Sequence, residues 1–193
     1  MKKKVWLFLG FALTASACGD DMPFHDSRIG TDPGGGGSSG SGGAADGPSE
    51  PGAASLDVEE QRFLELLNEH RANNGRAPVS TCASLNLAAQ AHSDDMRDQN
   101  YFDHTGLDGS SPGSRACDAG FELCESTGFG ENIAAGNTDA EGTFDQWVNS
   151  SGHNANMLGG SYVVVGLGRA TGGGRYGTYW TNVFATRDDP SCD

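Results

Sequence analysis

From Asp57 to Val148 the apolar residues of this chain recur at helical spacing, and from Tyr162 to Phe184 they collect into β-branched and aromatic runs. A chain that changes period once in this way buries both patterns by laying helices against a sheet, which predicts an α+β domain. Asp57 is a good N-cap for a first helix, with Phe63, Leu66, Leu67 and His70 along one face and Asn74-Gly75 as the stop. A second helix is expected from Ser84 to about Gln99, with Leu85, Ala88, Ala89, His92 and Met96 on one side. Ser111-Pro112 opens a short helical turn, and Thr138 with Glu141 reads as the capping box of a further helix carrying Phe144, Trp147 and Val148. Residues 162–168 and 175–184 form an antiparallel hairpin about a flexible turn at Thr171-Gly172-Gly173-Gly174, and a third strand is expected near Phe129 to Ala134.

The helices and strands begin only at residue 56. Met1-Lys2-Lys3-Lys4 followed by Val5 to Leu13 is a basic region and a short apolar stretch, the pattern of a signal peptide and too short for a spanning helix. It closes on Ala15-Ser16-Ala17-Cys18, which looks like a bacterial lipoprotein cleavage box with Cys18 as the lipidated residue; the alternative is cleavage near Ala17 that leaves a free secreted protein. Residues 18–55 are dominated by Gly, Ser, Pro and Asp and cannot bury enough apolar area to offset their ordering entropy. They read as a tether with a root-mean-square reach of roughly 35 Å. The expected organisation is therefore a signal peptide at 1–17, a lipidated cysteine and tether at 18–55, and one domain at 56–193.

Cleavage before Cys18 would remove all three lysines and leave nine arginines against 26 acidic residues, a net charge of −17. So acidic a chain repels nucleic acid and anionic bilayers, so no nucleic-acid partner is expected and membrane contact is expected through the lipid anchor alone. The four remaining cysteines, Cys82, Cys117, Cys124 and Cys192, are an even number in an oxidising compartment and allow three pairings. The simplest is a local Cys117–Cys124 bridge, which leaves Cys82 to tie Cys192 to the start of the second helix. No pair has the spacing of a structural zinc knuckle.

Four segments carry side chains suited to a site: Phe102-Asp103-His104, Gly130-Glu131-Asn132-Ile133-Ala134, Trp147-Val148-Asn149-Ser150-Ser151-Gly152-His153 and Tyr179-Trp180-Thr181-Asn182-Val183-Phe184. In order and spacing they resemble the CAP superfamily, which includes cysteine-rich secretory proteins, venom antigens, plant pathogenesis-related proteins and many bacterial secreted proteins. The resemblance covers roughly residues 57 to 186. It implies a three-layer α/β/α sandwich with a central antiparallel sheet. It also implies a cleft that in animal and plant members holds two histidines and two acids, a set that binds a divalent ion in several of them. His104 matches the first histidine and Glu131 the first acid, whereas Ser150 stands in place of the second acid and Tyr179 in place of the second histidine. Bacterial relatives commonly place a Ser-x-Gly-His after the third motif's helix, so His153 could supply the second imidazole from a loop.

The expected pocket is thus His104, Glu131 and His153, with Tyr179, Asn132 and Ser150 as neighbours. Two imidazoles and a carboxylate suffice for weak zinc binding or for a polar pocket without metal. Each residue also has a structural role open to it. His104 and Glu131 could hydrogen-bond one another, Asn132 could satisfy loop backbone, His153 could cap a helix C-terminus, and His92 fits a core or rim position with Asp95 within reach. An acid between Gly130 and Ile133-Ala134 is better placed to line a pocket than to face solvent. There is no His-Glu-x-x-His, no Gly-x-Ser-x-Gly and no phosphate loop. Ser150 or Ser151 beside His153 has no identifiable orienting acid for a hydrolase triad. The reading favours an exported, lipid-anchored binding module of the cell envelope over an enzyme, with a small molecule, a lipid or a protein as ligand; the alternative location is extracellular. The alternative activity is a metal-assisted hydrolase in which Glu131 acts as general base.

Overall fold

The computed structural model describes residues 55–193. The leader, Cys18 and all of the tether but Ser55 lie outside the described residues. Helix α1 (Val58–Asn73) is followed by a two-residue strand β1 (Ser80–Thr81), α2 (Ala83–Asp98) and α3 (Pro112–Asp118). Strand β2 (Phe129–Ala135), helices α4 (Ala140–Val148) and α5 (Ser151–Met157), and strands β3 (Val164–Gly173) and β4 (Gly177–Ala185) complete the fold.

Asp57 caps α1 as the sequence implies: its carboxylate accepts from the Glu60 amide at 2.7 Å while Glu60 accepts from the Asp57 amide at 2.8 Å. The other oxygen of Asp57 takes Arg169 from β3 at 2.8 Å, which fixes the helix start to the sheet. Asn74 ends the helix, and Gly75 follows it with φ +67°, in the left-handed region that glycine enters at no steric cost. Ser111 caps α3 with Pro112 at its first position.

The strands order as β1-β3-β4-β2, with β2 at one edge. The β3–β4 and β4–β2 pairs are antiparallel as expected, but β1 lies parallel to β3, so the sheet is mixed. Two residues are too few to show an alternating pattern, which is why Ser80-Thr81 gave no strand signal. Alternation along the longer strands divides the molecule into three layers. Val165, Leu167, Trp180 and Phe184 face Phe63 and Leu67 of α1, Trp147 of α4 and Met157 of α5. On the opposite face Val164, Val183 and Ala185 meet Leu85 and Ala89 of α2 and Ala116 of α3. The second face is unusually close-packed, because a Cβ at Gly168 would lie 2.2 Å from the Gln90 amide nitrogen and one at Gly166 the same distance from the Leu85 carbonyl. Glycine at these two positions lets the α2 backbone rest directly on β3.

Both disulfides form, Cys117–Cys124 at the end of α3 and Cys82–Cys192 at the start of α2. Two local expectations are corrected. The α4 cap is Asp139, whose carboxylate accepts from the Gly142 amide at 2.7 Å, while the Thr138 carbonyl is used by Arg169. Asp is as good a cap as Thr, and three-residue spacing holds for either start. The β3–β4 turn lies at 174–176 rather than 171–174, since β3 runs on through Gly173.

Candidate functional site

Glu131 and Asn132 are consecutive residues of the edge strand, so their side chains leave opposite faces of the sheet. Glu131 points to the α2–α3 layer. Its carboxyl is almost wholly buried, with 3% of the side chain exposed, and both oxygens are occupied. Oε1 lies 2.8 Å from His104 Nδ1, and Oε2 accepts from Arg115 Nη2 of α3 at 2.6 Å. The Arg115 guanidinium answers the charge of the carboxylate. Nδ1 of His104 is then the donor of that pair, which leaves Nε2 as the acceptor of a ring that is 53% exposed.

Arg115 also ties down the loop that carries the histidine. Nη2 donates to the His104 carbonyl at 3.1 Å and Nη1 to the Ser110 carbonyl at 3.0 Å, while its Nε makes no hydrogen bond. His92 of α2 lies behind Glu131, with Nε2 4.0 Å from Oε1, and that same nitrogen donates to the Asp103 carbonyl at 3.0 Å. Burial pushes the His92 pKa down, partly offset by Glu131, so the ring is neutral and its Nδ1 carries a lone pair without a partner. His92 therefore has the core position open to it in the sequence, but Asp95 is spent on the Tyr101 hydroxyl at 2.5 Å.

Asn132 points the other way. Its Nδ2 donates to the His153 carbonyl at 3.0 Å and its Oδ1 accepts from Asn156 at 2.9 Å, binding α5 to the sheet. His153 is not on a loop and does not end a helix: α4 stops at Val148 and the chain restarts as α5, which contains it. Its Nδ1 is 2.8 Å from Ser150 Oγ and its ring lies against Trp147 at 6.0 Å between centroids. Tyr179 is fully buried against Met96 and Ile133, and its hydroxyl accepts from the Tyr176 amide at 3.4 Å. The structure thus brings His104 and Glu131 together, adds Arg115 and His92, and sets His153, Ser150 and Asn132 into the α5 attachment.

The weak zinc site that the resemblance allows, beside a polar pocket without metal, meets a donor set that does not suit it. Glu131 has no unused oxygen, and a guanidinium 2.6 Å away would repel a divalent ion. Among the described residues no group of three or more His, Cys, Asp or Glu side chains is placed to hold a metal. Arg115 and His92 escaped the sequence reading as partners of Glu131. Arg115 is one basic residue in a polar helix of seven, and nothing in its spacing points to residue 131.

Residues 64–184 match the model of the cysteine-rich secretory protein family, CAP. The chain is 33% identical over 136 residues to the uncharacterized protein YkwD of Bacillus subtilis, covering 68% of this chain and 48% of YkwD. It is 30% identical over 111 residues to the uncharacterized membrane protein YlbC of the same organism, covering 58% of this chain and 31% of that one. The chain thus spans about half or less of the curated relatives it matches. In structure it is similar to an SCP-domain extracellular protein of Bacillus anthracis, with TM-score 0.57 and 29% identity over 67% of this chain and 40% of the other. It shares its fold with an outer surface protein of Borrelia burgdorferi, with TM-score 0.59 and 18% identity over 69% of this chain and 97% of that one. Family match, layer order and the His104–Glu131 pairing agree: this chain belongs to the cysteine-rich secretory protein (CAP) family.

Proposed function

We propose that this protein is an exported binding module of the cell envelope, held there by a lipid on Cys18, and that it recognises its ligand at the His104–Glu131–Arg115 cleft without a metal. The observation that carries the reading is the closure of the Glu131 charge. Both oxygens of the carboxylate are taken, one by a guanidinium at 2.6 Å and one by an imidazole at 2.8 Å, so neither faces a bound water as the general base of a metal-assisted hydrolase would. What the cleft offers a ligand is the half-exposed His104 ring, held in one tautomer by the buried acid behind it. The extracellular and outer-surface descriptions of the similar structures support export. The leader and the cysteine at position 18 support anchoring.

Two measurements test this. Cells fed labelled palmitate should carry label on the wild type in the envelope fraction, while Cys18→Ser should be unlabelled and released. An unlabelled wild type in the medium would remove the anchor. In parallel, a fluorogenic peptide mixture should show no turnover that depends on Glu131; peptide cleavage abolished by Glu131→Gln in a folded protein would replace the binding module by an enzyme.

A further inference from the structure

A cavity of about 660 Å³ opens between α2, α3 and residues 107–110 of the loop that also carries His104, with Arg115 and His92 in its lining. That volume lies in the range of small-molecule sites. Its apolar lining is Leu87, Ala88 and Ala91 from α2, Leu107 from the loop and Ala119 beyond α3. Leu107 is 66% exposed at this position, an apolar side chain left open to solvent.

Apart from Arg115, the charges on the same walls are negative. Asp94 and Asp95 of α2, Asp108 of the loop and Asp118 of α3 all line the cavity. Arg97 offsets Asp94 at 2.8 Å, and Asp95 takes the Tyr101 hydroxyl. Asp108 and Asp118 are solvent-exposed. Arg115, the cationic side chain of the lining, is already neutralised by Glu131. An anion entering here would meet four carboxylates and no uncommitted positive charge.

A second feature points to the same ligand. His92 lines the cavity with 1% exposure, and its Nδ1 is a buried acceptor without a partner, because Nε2 donates to Asp103. A buried acceptor is satisfied by a donor, and an ammonium group brings N–H donors together with positive charge. We infer that the cavity between α2 and α3 binds an organic ammonium ion with an apolar body, the body seated on the leucines and alanines and the charge among the aspartates. The inference goes beyond the cleft reading, and neither Asp108, Asp118 nor Ala91 hydrogen-bonds His104 or Glu131.

The test is calorimetric titration of the purified protein with octylammonium and octanoate, which share an alkyl chain and differ in charge. Octylammonium should bind and octanoate should bind at least about ten-fold more weakly. Asp108→Asn/Asp118→Asn, confined to exposed side chains, should weaken octylammonium at least about three-fold with an unchanged melting temperature. Ala91→Trp, which fills the cavity from an exposed α2 position, should abolish binding. Equal or tighter octanoate binding, no binding of octylammonium, or full affinity in both variants would overturn the assignment. Any of these would leave the cleft reading, tested by palmitate labelling and peptide turnover, where it stands.

Discussion

Removing the cation beside Glu131 should be among the most damaging single changes that leave the apolar core intact. Arg115→Met keeps the aliphatic stem of a side chain that is 10% exposed, but deletes the 2.6 Å contact to Oε2 and the bonds to the His104 and Ser110 carbonyls. The Glu131 carboxyl, 3% exposed, would then keep only the His104 imidazole. Stripping one partner from a buried ion pair costs about 3–5 kcal/mol, and His104 retains part of the compensation, so a loss of about 3 kcal/mol is expected. Glu131→Gln leaves Arg115 an amide oxygen to donate to and should cost about 1–2 kcal/mol. In Arg115→Met/Glu131→Gln no buried charge is stranded, so the double variant should be about 2 kcal/mol more stable than the sum of the two single losses implies. Urea unfolding followed by tryptophan fluorescence reads all four proteins, with Trp147 and Trp180 buried in the core. An Arg115→Met loss below about 1 kcal/mol, or strict additivity, would refute the closed charge network.

Other consequences can be checked in the same way. Burial, then the neighbouring Asp57, pushes the Glu60 pKa from 4.5 to about 7, so the folded protein holds that proton more tightly than the unfolded chain. Stability should therefore fall by about 3 kcal/mol between about pH 4.5 and 7 through this group, and Glu60→Gln, which keeps the capping acceptor, should abolish that part of the pH dependence in matched unfolding curves. Gly168→Ala should lower stability by about 3 kcal/mol or more, because the new Cβ meets the α2 backbone at 2.2 Å and cannot be relieved by rotating a side chain; calorimetry would measure it. Arg71 is 1% exposed and donates to the carbonyls of Ala77, Met157, Gly159 and Tyr162, so Arg71→Met should strand several acceptors and cost at least about 3 kcal/mol by the same assay.

What could be read in advance follows the range of the interactions involved. Capping is local, and Asp57 for α1 and Ser111-Pro112 for α3 announced the helix starts. The β3–β4 hairpin and the Cys117–Cys124 bridge are equally local. The parallel pairing of Ser80–Thr81 with Val164–Val165 spans more than eighty residues and carries no pattern of its own. The pocket shows the same division. His104 and Glu131 were recognisable by their motifs and do touch, but His153 was joined to them through the Ser-x-Gly-His resemblance, which fixes no direction for the ring. Strand alternation and the restart of the chain as α5 turn it toward Trp147 instead. Arg115 reaches Glu131 only because α3 packs across the sheet edge, a contact that no spacing rule anticipates.

The central claim is that a guanidinium, not a metal ion, answers the charge of Glu131. Zinc titrated calorimetrically into the purified wild-type protein and into His104→Ala at neutral pH tests it most directly. The charge network predicts the same weak, non-saturating heats from both proteins. A saturable zinc site in the wild type that disappears in His104→Ala would contradict it.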